Sequence, residues 1–319
     1  MHPAPTEWFA RRTYHHSSFE PSALVEAKRR EGLTVSVCIP ALNEEATVGA
    51  IVRTIRTELM EHVPLVDEMA VMDSSSTDRT AAEAERFGAT VFQDRDVLPD
   101  LEPMSGKGEA LWKSLFVLRG DVILWLDADI RNFDTRFVSG PLGPILTDPD
   151  VGYVKSFYRR PIEDGRGGSL EGGRVTELVA RPLLSMFWPH LGGMIQPLAG
   201  EYAGRRSILK RVPFFTGYAV EMGLLIDVAE RFGTDAMAQI DLEERIHRNR
   251  PIGELSRMAF AVIKAALSRL GEEERRRASA AMGMLQFDTE DGDYRIVSTP
   301  IPVEERPPAI TVDGYRAVR

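Results

Sequence analysis

Residues 121–129 read Asp-Val-Ile-Leu-Trp-Leu-Asp-Ala-Asp, and this run decides the fold. Val122 to Leu126 is an unbroken apolar stretch, short and rich in branched and aromatic side chains, the pattern of a strand buried on both faces. It stops abruptly at two carboxylates flanking one small residue. Upstream, Val35-Ser-Val-Cys-Ile39 predicts another buried strand that stops at Pro40. Asn43 is expected to cap a helix whose apolar positions Val48, Ile51, Ile55 and Leu59 share one face. Glu68 to Met72 predicts a strand ending at Asp73, Ser74 to Asp78 a turn, and the following residues a helix through Phe87 closed by Gly88. Ala89 to Phe92 supplies a further strand, and a helix begins near Gly108. Strands alternating with helices imply an α/β chain with a doubly wound, mostly parallel, right-handed sheet. Such sheets bind ligands beyond the carboxyl ends of their strands. Asn43-Glu44-Glu45, Asp73 to Asp78 and Asp127-Ala128-Asp129 all fall there.

The chain has 319 residues, with 39 Lys+Arg against 48 Asp+Glu and a formal net charge of −9. That length suffices for one large domain or two modest ones, and the acidic balance argues against bulk affinity for nucleic acid or anionic lipid. A single cysteine, Cys38, rules out an intrachain disulfide and fits a cytoplasmic location. The N-terminus lacks the apolar core of a secretory signal. Pro182 to Gly200 carries no charged residue, but three prolines, three glycines and His190 interrupt it. Each break frees backbone groups that lipid cannot satisfy, so the stretch reads as buried helix and loop, with no membrane crossing. The second half is less regular and more helical, with an amphipathic helix expected from Pro251 to Leu270, then a terminal helix around GEEERRR and an extended arm. The expected division is 1–34 extension, 35–130 nucleotide-binding half, 131–270 acceptor half, and 271–319 helix and arm.

Asp127 and Asp129 at a strand end suit a divalent cation that keeps water and a diphosphate as its other ligands, although a DxD can equally be a polar strand exit. Lys107, between Gly106 and Gly108, is a flexible point charge with nothing beside it to obstruct a phosphate, or else a solvated surface lysine. Glu221 lies in the apolar stretch Tyr218 to Ile226, where a carboxylate must be paired or face a cavity. His247 stands beside Arg248 and Arg250, which favour its neutral, metal-ligating form; a structural histidine is the ordinary alternative. Residues 151–211 carry ten Lys+Arg against five Asp+Glu, a basic island on an acidic chain that suggests an anionic substrate. Residues 165–173 contain five glycines, a loop able to offer backbone N–H groups to a phosphate at the helix that follows, or simply a surface loop.

In order and spacing, VCIPALNEEATV (37–48), AVMDSSSTDRT (70–80) and LWLDAD (124–129) resemble the nucleotide-sugar half of A-type glycosyltransferases. SGKGEALW, VKSFYRRP, EGGRVTELVARPLL, QPLAGEYAGRR, GYAVEMGLL and IHRNRP sharpen this into a resemblance to the actinobacterial glucosyl-3-phosphoglycerate synthases, a family that also contains a mannosyl-3-phosphoglycerate synthase. It spans about Val35 to Leu270. The resemblance implies a retaining transfer of a hexose from a nucleoside diphosphate sugar to the 2-hydroxyl of 3-phosphoglycerate. By motif, Pro40, Ala41, Leu42 and Glu44 would hold the base and ribose, with Ser74 and Lys107 nearer the diphosphate. Asp129 and His247 would ligate Mg²⁺ or Mn²⁺, Asp127 and Ala128 would lie against the donor, and Glu221 would meet the sugar hydroxyls. Gly173, Arg174, Thr176 and Asn249 would bind the phosphoglycerate. Ala128 and Ala199 replace residues of the glucosyl pattern near the donor, which leaves UDP-glucose and GDP-mannose both open.

The resemblance implies that Asp127, Asp129, Glu221 and Lys107 carry the chemistry, with metal and lysine stabilising the departing diphosphate. No carboxylate is assigned as a nucleophile, so same-face attack is the favoured route, with Glu221 and Asp127 still open. Two other classes share parts of the pattern: a polyprenyl-phosphate glycosyltransferase working at a membrane surface, and a non-catalytic nucleotide-sugar-binding protein. A homodimer is expected from the C-terminal helix and arm.

Overall fold

Every side chain from Val122 to Leu126 is buried, because their strand runs through the interior of an eight-stranded sheet. The computed structural model describes residues 3–160, 173–246, 251–271, 283–290, 293–300 and 302–318. Its strands are β1 (Thr13–His15), β2 (Val35–Ala41), β3 (Glu68–Asp73), β4 (Thr90–Gln93), β5 (Val122–Trp125), β6 (Tyr153–Arg159), β7 (Tyr202–Arg205), β8 (Phe214–Phe215), β9 (Met237–Glu244), β10 (Gly283–Glu290), β11 (Asp293–Pro300) and β12 (Glu305–Arg306). The α-helices are α1 (Pro5–Arg12), α2 (Pro21–Glu31), α3 (Val48–Thr54), α4 (Thr80–Arg86), α5 (Lys107–Val117), α6 (Arg136–Thr147), α7 (Arg181–Phe187), α8 (Arg206–Leu209), α9 (Val220–Phe232) and α10 (Ile252–Leu267).

The sheet order is β1-β9-β6-β7-β5-β2-β3-β4. Only β7 runs antiparallel to its neighbours β5 and β6; the other pairings are parallel. One edge of the sheet therefore collects the carboxyl ends of β2, β3, β5, β6 and β9 together with the amino end of β7. Helices cover both faces, giving two apolar layers. Leu24, Val48, Ile51, Phe137 and Leu142 pack on one side, and Trp112, Leu115, Leu184, Leu225 and Val228 on the other. The expected doubly wound, mostly parallel α/β sheet is what forms.

Four readings change in detail. Pro40 does not end its strand: β2 continues to Ala41, paired with β3 through Asp73, while its pairing with β5 stops at Cys38. The missing N–H of Pro40 thus leaves no β5 partner unsatisfied. Asn43 does not cap a helix. It sits at φ 56°, and its Oδ1 accepts from Thr77 N at 2.8 Å. The helix starts at Val48 and continues as a π-helical turn from Ile55 to His62, burying Val48, Ile51, Ile55 and Leu59 as their spacing predicts. Residues 1–34 supply edge strand β1 to the sheet. The helix expected around GEEERRR lies outside the described residues. The arm beyond it is a β10–β11 hairpin followed by a segment whose β12 pairs with β8. No helix among the described residues is long and apolar enough to cross a membrane. The uncharged 182–200 stretch is α7, a 3₁₀ turn at Pro189–Leu191 and loop.

Candidate active site

The polar residues at the carboxyl edge are there because the strand ladder puts them there. Ala41 lies opposite Asp73 in the β2–β3 register, so Pro40, Ala41, Leu42, Glu44 and Ser74 share that edge. Ser74 N donates to Ala41 O at 2.9 Å, and Glu44 N donates to Thr80 Oγ1 at 2.8 Å, stitching the two strand exits together. Thr47 Oγ1 donates to Ala128 O at 2.6 Å, which ties this pair to the turn after β5.

That turn carries Asp127 and Asp129. Lys107 opens α5 and Glu221 lies in the first turn of α9. Lys107 Nζ lies 2.6 Å from Asp127 Oδ1 and 2.9 Å from Glu221 Oε1. Lys107 is thus no solvated surface lysine, and Glu221, 5% exposed, has the partner its apolar setting demands. Burial disfavours the Lys107 ammonium, but Asp127 and Glu221 override that and hold its pKa well above the usual lysine value. Burial likewise opposes ionisation of Asp127, while Lys107 and Arg245 hold its carboxyl well below the ordinary carboxylate range. Both groups are therefore charged throughout the physiological range.

Arg245, one residue past β9, was not singled out from the sequence. Its Nη2 lies 3.0 Å from Asp127 Oδ2 and 2.6 Å from Asp129 Oδ1, and its Nε lies 2.9 Å from Glu201 Oε1. Glu201, fully buried, also accepts from Tyr158 Oη at 2.5 Å. Burial pushes the Glu201 carboxyl up, against the pull of Arg245. Lys155, on β6, donates to Ala199 O at 2.5 Å, and its ammonium sits 4.1 Å from the Tyr202 ring centroid. Gln196 Nε2 donates to Tyr158 O at 2.5 Å. The QPLAGEY segment is thus a scaffold: Gln196 fixes Tyr158, and Glu201 fixes Tyr158 and Arg245. Gly200 completes it, because a Cβ there would lie 2.1 Å from Asp127 Oδ2. A signal for Glu201 was present, a carboxylate inside a strand-forming run that needs a buried cation; nothing local identified that cation as Arg245.

Four carboxylates, Asp127, Asp129, Glu201 and Glu221, thus meet two cations in direct contact, Lys107 and Arg245. Mg²⁺ and Mn²⁺ take hard oxygen donors, and the Asp129 carboxylate is of that kind, with Arg245 against its Oδ1. His247 and Asn249 lie outside the described residues, as does most of the glycine-rich loop. Of the other acceptor candidates, Gly173 (φ 101°), exposed Arg174 and buried Thr176 open the helical segment leading into α7. The methyl groups of Ala128 and Ala199 are buried in the apolar layer, and their carbonyls accept from Thr47 Oγ1 and Lys155 Nζ.

A strand-end carboxylate pair, a lysine at a helix N-terminus and a doubly wound sheet define a nucleotide-sugar glycosyltransferase. The model of the family "Glycosyl transferase family 2" matches residues 36–212. The glucosyl-3-phosphoglycerate synthase of Petrotoga mobilis is 48% identical over 320 residues, covering 96% of this chain and 95% of its own. The crystal structure of mannosyl-3-phosphoglycerate synthase from Rubrobacter xylanophilus superposes with a TM-score of 0.89 at 41% identity, covering 98% of this chain and all of that one. That of glucosyl-3-phosphoglycerate synthase from Mycobacterium tuberculosis, in complex with Mn²⁺, uridine diphosphate and glucosyl-3-phosphoglycerate, gives 0.82 at 42% identity, covering 94% and 98%. The chain belongs to glycosyl transferase family 2 and, within it, to the glucosyl-3-phosphoglycerate synthase family.

Proposed function

We propose that this enzyme transfers glucose from UDP-glucose to the 2-hydroxyl of 3-phosphoglycerate, with retention at the anomeric carbon and with Mg²⁺ or Mn²⁺ held by Asp129, joined by His247. The observation that carries this is the contact of Lys107 with both Asp127 and Glu221 at the carboxyl edge of the sheet, in a chain similar along its whole length to synthases of that name. Pro40, Ala41, Leu42 and Glu44 hold the base and ribose, Leu42 offering an exposed apolar side chain for the flat base. Asp127 fixes Lys107 so that its ammonium meets the departing diphosphate, and Glu221 orients the sugar hydroxyls. The divalent ion supplies positive charge against the developing negative charge of that diphosphate. Gly173, Arg174, Thr176 and Asn249 bind the carboxylate and phosphate of the acceptor, an arginine fork suiting both.

Asp127 and Glu221 are each engaged by a cation, which weakens either as a nucleophile and supports same-face attack, the acceptor proton passing to a diphosphate oxygen. Purified protein with UDP-glucose, 3-phosphoglycerate and Mg²⁺ is expected to release UDP and give an α-linked product by the anomeric proton coupling. A β-linked product rejects retention, and no acceptor-dependent UDP rejects the donor and acceptor together. A parallel reaction with GDP-mannose tests the second reading, which rests on the similarity to the mannosyl enzyme. The expected homodimer is read by light scattering of the same preparation.

A further inference from the structure

The carboxyl edge of the sheet holds a second group of chemistry-bearing side chains, at its far end where β1 meets β9. His15 and His16 are consecutive, yet the chain leaves β1 for a 3₁₀ turn between them, so their rings lie side by side with centroids 4.6 Å apart. Glu243 faces both. Its Oε1 is 3.6 Å from His15 Nε2 and 3.3 Å from His16 Nε2, and one ligand atom from each of the three residues lies within 4.8 Å of the others. Nitrogen and oxygen ligands on a tetrahedral ion at about 2.0–2.2 Å stand roughly 3.3–3.6 Å apart, so two of the three edges already have the required length.

The backbone that delivers Glu243 is strained. Glu243 sits at φ 65°, a region that disfavours residues with a Cβ, inside a bulge where the β6–β9 register shifts between Phe157 and Arg159. Glycine is the unstrained residue for that position; a carboxylate there breaks the local rule, and such breaks concentrate at functional positions. His16 Nε2 is buried and faces Glu243 Oε1 at 3.3 Å. His15 Nδ1 accepts from Ser17 N at 3.3 Å and lies 2.7 Å from Ser17 Oγ, which fixes the ring with its Nε2 toward Glu243. The nearby cation Arg136 is committed elsewhere, to Asp134 and to the Leu242 and Glu244 carbonyls.

We propose that His15, His16 and Glu243 form a second divalent-metal site, of the imidazole-and-carboxylate chemistry that takes Zn²⁺ or Co²⁺ in preference to Mg²⁺, tying the N-terminal segment to the β9 bulge. Two imidazoles, one carboxylate and a water complete four-coordination. The site lies two residues before Arg245, so an ion there steadies the strand end that delivers that guanidinium to Asp127 and Asp129.

The test is a Co²⁺ titration of the full-length enzyme in millimolar Mg²⁺, read by visible d–d absorption and equilibrium dialysis. Wild type is expected to bind a single equivalent of Co²⁺ more than His15→Gln or Glu243→Gln. Zn²⁺ is expected to raise the melting temperature of wild type and not of those two variants. Because His15 and Glu243 are largely exposed, their variants keep the fold, which circular dichroism checks. Equal stoichiometry and affinity in wild type and variants overturns the proposal, leaving a hydrogen-bonded histidine–glutamate cluster. So does a Co²⁺ signal that disappears in Asp129→Asn and survives in Glu243→Gln.

Discussion

Arg245 serves three carboxylates with one guanidinium, and its side chain is 2% exposed. Replacing it by methionine keeps the bulk and leaves Glu201, buried without exposure, facing Asp127 and Asp129 with no cation between them. Breaking a buried pair from one side costs about 3–5 kcal/mol, so Arg245→Met is expected to lower the urea midpoint accordingly. Loss of a few tenths of a kcal/mol would mean that water takes over the guanidinium's role. Lys155 makes the opposite case. Burial pulls its pKa down from 10.5 to about 7, against the upward pull of Glu221. Between those values the unfolded chain binds a proton that the folded chain lacks, so stability rises with pH across that window; below about 7 the cost of burying the charge is present in full. Measured against Lys155→Met, the melting temperature of wild type is expected to gain steadily from pH 7 to pH 9. A difference that stays constant over that range would show the lysine charged throughout.

The elements around these residues explain what sequence patterns convey and what they miss. Gly200 precedes β7 and is where the QPLAGEY scaffold touches Asp127. Gly200→Ala places a Cβ about 2 Å from the carboxylate, which must then leave Lys107 or Arg245. The expected result is a fall in kcat/KM of roughly 10²-fold, the usual cost of misplacing a reacting group by an ångström, with a loss of stability of about 1–3 kcal/mol from overpacking. Normal turnover in a folded Gly200→Ala protein would detach Asp127 from the chemistry. Strands β2, β3 and β5 were legible because short apolar runs bounded by Pro40, Asp73 and Asp127 have few other readings. Helix α6 was not: Gly140, Pro141, Gly143 and Pro144 are poor helix residues, and only the burial of Phe137, Val138, Leu142, Ile145 and Leu146 against the sheet makes that segment helical. Glu221 was readable as a carboxylate that needed a partner, and Lys107, Asp127 and Asp129 as candidates for a phosphate and a cation. The fork of Arg245 was not, because Asp127 and Asp129 lie more than a hundred positions from it, and contacts of that range leave no periodicity in the chain.

At the scale of the whole molecule, the C-terminal arm closes onto the helix that begins with Lys107. Arg306 is 6% exposed, and its guanidinium grips both oxygens of Glu109, at 2.9 and 2.8 Å, and Glu102 O at 2.7 Å. Trp112 lies under that guanidinium and donates Nε1–H to Pro307 O at 3.0 Å. Glu109, without exposure, stands two residues after Lys107 in the first turn of α5. The same arm pairs β12 with β8, and β8 presses so closely on α5 that a Cβ at Gly108 would sit 1.8 Å from Phe215 O. Glu305 joins Asp227 of α9 through Arg269, so the helix that carries Glu221 is tied in as well. Arg306→Met strands the Glu109 charge with only Lys113, 3.4 Å away, as a cation partner. The expected loss is about 3 kcal/mol, the low end for a broken buried pair. Adding Glu109→Gln removes the stranded charge and is expected to restore most of that stability. The informative quantity is then kcat in the double variant. If the arm merely stabilises, activity returns with the fold. If it holds the amino end of α5 in register with β5, kcat stays depressed while the denaturant midpoint recovers, and only the second result makes residues 302–318 part of the catalytic architecture.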